Sequence, residues 1–325
     1  MFKLGNLEIK SKVILAPMAG ITSSGYRKFM SSFGVGYVVT EMVSDMGLIY
    51  ENKETKKYVE FENLNVPTGV QLFGNSPENL AKAASICEKI NPYIDFYDVN
   101  MGCPVSKVTK TGAGSSLLKD PVLCGEIVKA IKETTHKPVT VKIRLGAGND
   151  QTGFIKVIEE VLKAGVDLIA IHPRSAKEMY SGKPHWELVK DLKNKVNVPL
   201  VVSGNIYTVD DAISAMKITG ADAVMIARGG MGNPTLISNI NNYFDNKELV
   251  STSLDQQIEY CLELARELIE EKGEKIALRV YRGIATKFFD GYPNSKPLKS
   301  RLSTELNTYQ DLLDILSDYK KEFTI

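Results

Sequence analysis

The stretch Phe96-Tyr97-Asp98-Val99-Asn100-Met101-Gly102-Cys103-Pro104 joins a strand pattern to an abrupt stop. Residues 96–99 form a short apolar run, which predicts a buried strand. Gly102 and Pro104 then end it, because Gly and Pro are the strongest local breakers of regular structure. The Cys103 thiol is therefore expected in a stiff loop just past the strand, where it could meet a ligand. A buried, inert cysteine fits the same pattern.

Composition indicates an ordinary globular protein. The chain has 325 residues, 43% hydrophobic and 24% charged, which allows one large α/β domain and a smaller one. Its net charge of +1 excludes a molecule-wide field for polyanions, so any nucleic-acid face must be local. No apolar run could span a bilayer, and residues 1–12 lack a secretory signal pattern. The four cysteines form no CxxC pair, so we expect a reduced, cytoplasmic protein without a metal site.

Short β-branched runs alternate with helical patterns through most of the chain. Eight candidate strands are predicted at residues 13–15, 37–40, 69–73, 96–99, 139–143, 168–171, 200–202 and 223–226. Helices are predicted to follow Ser76 and Pro121, over residues 154–164, and from Thr208 to the stop at Gly220. Eight strand–helix units in succession predict a parallel closed (β/α)₈ TIM barrel of the α/β class rather than an open sheet.

The pattern changes after a polar stretch at residues 245–253, which is typical of a linker. Three helical segments are predicted beyond it, at residues 254–271, 275–289 and 306–319. The sequence therefore predicts a catalytic barrel over residues 1–245 and a small C-terminal all-α helical domain over residues 253–325.

This helical tail is locally basic. Residues 275–301 contain seven Lys or Arg and one acid, Asp290. Lys275, Arg279 and Arg282 are spaced to share one helix face. The face could be an ordinary solvated surface, or it could contact phosphates.

In such a barrel the active site forms at the carboxyl ends of the strands. The polar residues predicted there are Glu41, Gln71, Asn100, Cys103, Lys142, Arg144, His172, Arg174, Ser203, Asn205 and Arg228. Lys142 lies within an apolar strand, where an unpaired ammonium is costly. Its partner could be a carboxylate such as Glu41, or a bound anionic ligand.

The loops after the seventh and eighth strands are glycine-rich and lead into helices, a common phosphate site in such barrels. Arg228 could add a charge-assisted contact. Flavin mononucleotide (FMN), a planar ring with one phosphate, fits this layout. Its ring would extend towards Cys103, with Lys142 near the edge that becomes electron-rich on reduction.

Five blocks of sequence resemble the tRNA-dihydrouridine synthase family, and the B-type bacterial members are the most similar. The blocks are Ala16-Pro17-Met18-Ala19-Gly20, Asn100-Met101-Gly102-Cys103-Pro104, Val141-Lys142-Ile143-Arg144, Ile171-His172-Pro173-Arg174 and Ser203-Gly204-Asn205-Ile206. The resemblance implies an FMN-containing (β/α)₈ enzyme with a helical tRNA-binding domain. Members reduce the 5,6 double bond of particular uridines, mostly in the tRNA D-loop, with NADPH (or NADH) as electron donor.

The resemblance also implies roles for individual residues. Those expected to bind the flavin are Pro17, Met18, Ala19, Gln71, Lys142, His172, Ser203, Gly204, Asn205, Ala227 and Arg228. Cys103 would donate the proton. Many relatives have Asn-Gly-Asp where this chain has Ser203-Gly204-Asn205, and Gly-Arg where it has Ala227-Arg228. These sites supply largely backbone contacts, so we expect flavin binding to survive the differences.

The chemistry of a thiol agrees with that role for Cys103. An ordinary thiol, with a pKa of about 8.5, is mostly protonated at neutral pH and can act as a general acid. A nucleophilic cysteine would need a neighbouring base or helix N-terminus, and no such base is evident. Asn100 and Arg174 could orient the uracil carbonyls.

Phosphate contacts would help to offset the cost of unstacking the target base, a few kcal/mol. The residues expected to make them are Lys275, Arg279, Arg282, Lys287 and Lys299. tRNA and NADPH would compete for one flavin face, which predicts a two-step cycle in a protein expected to be monomeric. Two alternatives stay open: a flavin-barrel reductase acting on a small molecule, and an RNA-binding protein that keeps the barrel only as a scaffold.

Overall fold

The computed structural model describes residues 1–323, and an eight-stranded parallel sheet forms its centre. A short antiparallel hairpin, which the sequence analysis did not predict, precedes the sheet with β1 (Phe2–Leu4) and β2 (Leu7–Ile9). The sheet strands are β3 (Val13–Leu15), β4 (Val38–Ser44), β5 (Thr68–Phe73), β6 (Phe96–Met101), β7 (Val139–Arg144), β8 (Leu168–His172), β9 (Leu200–Ser203) and β10 (Ala223–Ile226). All eight predicted strands are confirmed, most of them one to three residues longer than expected.

Each strand pairs in parallel with the next along the chain from β4 to β10, and β10 pairs with β3. The remaining seam, between β3 and β4, is closed by two backbone hydrogen bonds. The Gly36 N–H donates to the Val13 carbonyl at 2.7 Å, and the Leu15 N–H donates to the Tyr37 carbonyl at 3.4 Å. The predicted (β/α)₈ barrel is therefore confirmed, with all strand carboxyl ends at one rim.

Helices cover the outside of the barrel. They are α1 (Ser24–Ser31), α2 (Asp45–Ile49), α3 (Lys53–Lys57), α4 (Pro77–Ile90), α5 (Ser106–Thr109), α6 (Pro121–Thr134), α7 (Phe154–Lys163), α8 (Val209–Thr219) and α9 (Thr235–Phe244). The predicted capping chemistry is present: the Ser76 side chain accepts from the Asn79 N–H, and Thr208 forms a capping box with Asp211. Gly220 ends α8 in the left-handed conformation, with φ of +67°.

The connection from β8 to β9 departs from the predicted strand–helix repeat. It contains two 3₁₀ turns, Trp186–Val189 and Lys193–Lys195, in place of an α-helix. Val189, Leu192 and Val196 are buried and anchor this connection to the barrel.

Four helices, rather than the predicted three, form the C-terminal part of the described chain. They are α10 (Leu254–Lys272), α11 (Glu274–Ala285), α12 (Ser295–Thr304) and α13 (Tyr309–Phe323), with a 3₁₀ turn at Thr286–Phe289. The missed helix is α12, which Pro297 concealed in the sequence although proline is tolerated in a first helical turn. Leu298 and Leu302 bury its inner face. The division into domains at residues 1–245 and 253–325 stays a prediction. Within the described residues, no helix is both long and apolar enough to cross a membrane.

The tail is joined to the barrel where α10 meets the start of α1. Ser23, the N-cap residue of α1, does not cap the helix with its own side chain. The Glu271 carboxylate from α10 takes that place, accepting from the Ser23 hydroxyl at 2.7 Å and from the Ser24 and Gly25 N–H groups at 3.2 and 2.9 Å. A carboxylate at a helix N-terminus satisfies free amides and meets the positive end of the helix dipole.

This cap makes the stability of the chain depend on pH. Burial alone would raise the pKa of Glu271, but hydrogen bonds from Lys272, Ser23 and Gly25 outweigh burial, so the net shift is downward. A carboxylate with a lowered pKa in the folded state stabilises the protein above its unfolded pKa of about 4.3, and the contribution is lost as pH falls.

We expect Glu271→Ala to reduce the free energy of unfolding at pH 7 by about 1 kcal/mol, the usual cost of losing a helix cap. Urea denaturation measures the difference, which should shrink as the pH is lowered below about 4. Glu270→Ala is the matched control, since the Glu270 side chain is 75% exposed and 3.6 Å from Lys28. Equal losses in the two variants would contradict the capping role.

Candidate active site

A cavity of about 370 Å³ opens at the carboxyl ends of the barrel strands. Every barrel residue that the sequence analysis assigned to cofactor, substrate or proton transfer lines it. These residues are Pro17, Met18, Ala19, Gln71, Asn100, Cys103, Lys142, His172, Arg174, Ser203, Gly204, Asn205, Ala227 and Arg228. The structure therefore brings the predicted set together, while the role of each residue stays a prediction.

The Cys103 loop is held in place by its backbone. The Asn100 Oδ1 atom accepts from the Gly102 N–H at 3.2 Å and from the Cys103 N–H at 2.9 Å. On the other side, the Cys103 carbonyl accepts from the Ser115 N–H at 2.9 Å, and the Arg144 Nε–H donates to the Gly102 carbonyl at 2.9 Å. Cys103 is half-buried and lines the cavity, whereas the other three cysteines are buried. Cys103 is therefore not the buried cysteine of the alternative interpretation, and its chemical role stays a prediction.

A chain of buried amides lies beneath that loop. The Asn100 Nδ2–H donates to Gln71 Oε1 at 2.9 Å, and the Gln71 Nε2–H donates to Asp98 Oδ2 at 2.7 Å. The Thr140 hydroxyl donates to the other Asp98 oxygen at 2.5 Å. Burial raises the pKa of Asp98, while these hydrogen bonds and the charge of Lys142 oppose the shift. The sequence analysis missed Asp98 and Thr140, although an acid inside an apolar strand run is itself a signal.

Lys142 points its ammonium at the cavity from β7 without a carboxylate partner among the described residues. Burial, followed by the charge of Arg144, lowers the pKa of Lys142 to about 8, and Asp98 and Cys103 act in the opposite direction. Glu41, the alternative partner, instead accepts from the Gly20 N–H at 2.5 Å. This arrangement favours an anionic ligand as the partner of Lys142.

His172 is held as a neutral imidazole beside the cavity. Burial and then the charges of Lys142, Arg144, Arg174 and Arg228 lower the pKa of His172 well below its ordinary value. The Arg174 Nη1–H donates to His172 Nε2 at 2.9 Å. An arginine stays protonated in proteins, so His172 Nε2 is the acceptor and Nδ1 carries the proton.

Arg174 is fully buried, and its donors are committed to the protein. Besides His172, they bind the carbonyls of Ser181 and Gly182 at 2.9 and 2.5 Å and the Asn205 side-chain oxygen at 3.0 Å. Arg174 thus ties the loop after β8 to the loop after β9. Its expected contact with the uracil stays a prediction.

Arg228 also lines the cavity and lies near two exposed aromatic rings. Its guanidinium carbon is 4.9 Å from the centre of the Tyr180 ring and 5.9 Å from that of Tyr207. Among the described residues, no carboxylate pairs with Arg228. The sequence analysis missed both tyrosines, which are 55% and 43% exposed. A cation held by aromatic faces keeps its N–H donors available for an anion.

The backbone after β9 is shaped for close approach. Gly204 has φ of +108°, and a Cβ there would lie 3.1 Å from His172 Cδ2. Asn205 has φ of +51°, a conformation that asparagine tolerates better than most residues. The differences noted at Ser203-Gly204-Asn205 therefore leave a left-handed turn in which backbone N–H groups can face a phosphate.

The basic residues of the tail fall into different environments. Arg282 donates to the Leu306 carbonyl at 2.9 Å and to the Asn307 side-chain oxygen at 2.7 Å, so it braces the tail itself. Lys275 and Arg279 are exposed on α11 and form no ion pair within the described part of the chain. Of the three cations expected to share one helix face, only Lys275 and Arg279 are therefore exposed without an ion pair in the described part of the chain.

A second cavity, of about 520 Å³, lies between the barrel and the tail. It shares Tyr207 and Arg228 with the first cavity, and Lys287 and Tyr292 line its tail side. Asp290 at its edge pairs with Lys299 at 2.6 Å and with Lys287 at 3.6 Å. The two cavities therefore adjoin at Tyr207 and Arg228, one at the barrel mouth and the other against the tail.

Comparisons with known proteins agree with this architecture. The family model described as dihydrouridine synthase (Dus) matches residues 14–324. A probable tRNA-dihydrouridine synthase of Rickettsia conorii is 33% identical over 93% of this chain and 92% of its own length. The tRNA-dihydrouridine synthase B of Vibrio parahaemolyticus is 31% identical over 86% and 87%. Among solved structures, DHODH from Eimeria tenella in complex with ferulenol matches with a TM-score of 0.56 and 15% identity over 80% of this chain and 85% of its own, a likeness of fold alone.

We expect His172 to remain neutral as the pH is lowered from 8 to the ordinary histidine pKa of about 6.5, because its environment lowers its pKa well below that value. The chain has three histidines, so nitrogen NMR of protein with labelled histidine can follow each ring. The His172 Nε2 resonance should be that of an unprotonated nitrogen throughout. Protonation of His172 at or above the ordinary histidine pKa would contradict the assigned tautomer and its bond from Arg174.

Proposed function

The chain belongs to the dihydrouridine synthase family, and we propose that it reduces the 5,6 double bond of specific uridines in the D-loop of tRNA, with FMN as cofactor and NADPH as electron donor. The observation that carries the proposal is the cavity at the barrel rim. A half-buried thiol lines it, and so do Lys142 and Arg228, which have no carboxylate partner among residues 1–323. The relatives named tRNA-dihydrouridine synthase point to the same reaction.

The residues present fit a flavin monophosphate. The cavity volume of about 370 Å³ lies in the range of small-molecule sites, about 300–1,000 Å³. The left-handed turn at Gly204 and Asn205, with Arg228, would hold the phosphate. Lys142 would lie against the ring, and the second Nε2–H of Gln71 would remain for a ring acceptor. Bound FMN would supply the hydride for C6 of the uracil.

The chain itself supplies the proton and the geometry. The Cys103 thiol would hold the proton that C5 receives, and its loop is fixed by Asn100, Ser115 and Arg144. A positioned general acid contributes about 10²–10⁴-fold to a rate. The nicotinamide of NADPH must reach the same cavity as the uridine, so oxidised nicotinamide leaves before tRNA reacts.

The two adjoining cavities suit a polymeric substrate. A target base that leaves the tRNA stack enters the barrel cavity, and its neighbours must leave through an adjoining opening. The second cavity would provide that path, with Tyr207 and Tyr292 to stack on bases and Lys287 to meet a phosphate of the tRNA. Lys275 and Arg279 would extend the contact along α11. A tRNA substrate also agrees with a cytoplasmic location.

We expect Cys103→Ala to keep its flavin and the reduction of that flavin by NADPH, and to slow uridine reduction at least about 100-fold, as loss of a general acid should. Absorbance of the flavin follows the first half-reaction, and dihydrouridine content of unmodified tRNA follows the second. Cys87→Ala is the control, since Cys87 is buried in α4 and should leave both half-reactions intact. Equal loss of both half-reactions in Cys103→Ala would refute the acid role.

The double variant Lys275→Gln and Arg279→Gln should bind tRNA more weakly while NADPH oxidation is unchanged. If each residue contacts a phosphate, the slope of log affinity against log salt should fall by about 1.5. Lys190→Gln with Lys217→Gln removes two exposed charges from the outside of the barrel and is the matched control. An unchanged tRNA affinity at low salt would remove α11 from the interface.

A further inference from the structure

We propose that Asp98 is a positioning residue, which fixes the Cys103 loop through the side-chain amides of Gln71 and Asn100. Asp98 is 4% exposed and lies deep in the barrel, below the cavity. The inference rests on the proposed function only in explaining why the position of Cys103 matters. The physical link between Asp98 and the loop rests on the hydrogen bonds alone.

Strand register places three members of this hydrogen-bonded series, Gln71, Asp98 and Thr140, at one level of the barrel. Gln71 on β5 is paired with Asp98 on β6, and Asp98 is paired with Thr140 on β7. Asn100 is two residues beyond Asp98, so its side chain faces the same side of the strand one layer nearer the rim. Each hydrogen bond therefore joins neighbouring strands or neighbouring layers.

The hydrogen-bonded series runs from the Asp98 carboxylate to the Cys103 loop. Its two ends together allow only one orientation of the Gln71 and Asn100 side-chain amides. An ionised Asp98 only accepts, so Gln71 must present Nε2–H to it and Oε1 to Asn100. Asn100 must then present Nδ2–H to Gln71 and Oδ1 to the loop. The loop offers only donors there, the N–H groups of Gly102 and Cys103. The carboxylate thus decides which atom faces the loop two amides away.

If both side-chain amides were flipped, the Asn100 Nδ2–H groups would face the two backbone N–H groups of the loop. Those buried donors would lose their acceptor, a situation that folded proteins avoid. The loop would then have to open at Gly102 and Cys103, and the thiol would lose its fixed place at the cavity. Asp98 prevents this reversal without touching Cys103.

The role requires an acceptor at position 98 rather than a charge. In Asp98→Asn the new carbonyl can face Gln71 while the new N–H group faces the Thr140 hydroxyl, which can accept it. In Thr140→Val the carboxylate still accepts from Gln71. In the double variant the asparagine at position 98 has no acceptor at position 140. Its N–H groups can then turn towards Gln71, which would flip the Gln71 and Asn100 amides.

Amide hydrogen exchange of Gly102 and Cys103 in the full-length protein as purified tests the inference. We expect both amides to exchange at about the wild-type rate in each single variant and about tenfold faster in the double variant, the factor expected when ordinary hydrogen bonds are lost. The buried Ile169 amide in β8, which donates to the Pro199 carbonyl at 3.1 Å, is the internal reference and should stay protected throughout, which separates a local effect from general unfolding. Such non-additivity is the signature of residues that act as one network.

The inference is overturned if the double variant exchanges no faster than the single variants, or if either single variant already matches it. Gln71→Met keeps Asp98 and Thr140 but cuts the chain of amides, so it must accelerate exchange of the same two amides even if the double variant fails to fold. Unchanged exchange in Gln71→Met would also overturn the inference. None of these readouts needs turnover, so a failed acid role for Cys103 would leave them interpretable.

Discussion

Closure of the parallel sheet between β3 and β4 is the constraint on which the site depends. The seam has only two backbone hydrogen bonds, and one of them is 3.4 Å long. Glu41 adds a third link above them, since its carboxylate accepts from the Gly20 N–H just beyond β3. Glu41, one of the two partners considered for Lys142, thus links the ends of β3 and β4 instead. Closing the seam brings Pro17–Ala19 round to face the loops of the later strands, so one cavity can draw residues from the whole barrel.

The second feature of the site is its excess of positive charge. Four cations approach the cavity, but they are of two kinds. Arg144 and Arg174 spend their donors on backbone carbonyls and hold loops in place. Lys142 and Arg228 also line the cavity, and they have no such partners among the described residues. This division separates scaffold from ligand contact in a way that residue type alone cannot, and it leaves two cations available to an anionic ligand.

The sequence predicted the barrel well, because buried parallel strands are short β-branched runs and their helices carry explicit caps at Ser76 and Thr208. It also predicted the cavity-lining set, since parallel strands bring their carboxyl ends together. It failed where no local pattern exists. Pro297 hid a helix. Asp98 and Thr140 act through strand register, which emerges only when β5, β6 and β7 are aligned. The capping of α1 by Glu271 joins residues about 250 positions apart, beyond the reach of any local pattern.

The Glu271 contact also bears on how separable the two parts of this protein are. The linker pattern at residues 245–253 suggests a convenient place to cut, and a barrel ending there would retain every strand. It would nevertheless expose the amides at the start of α1, immediately after the segment that carries Pro17, Met18 and Ala19. Truncation at the linker would therefore loosen one wall of the cavity itself. The helical tail is a structural component of the catalytic rim as well as an appendage, and engineered exchanges of tails between relatives must carry a matching acid to this position.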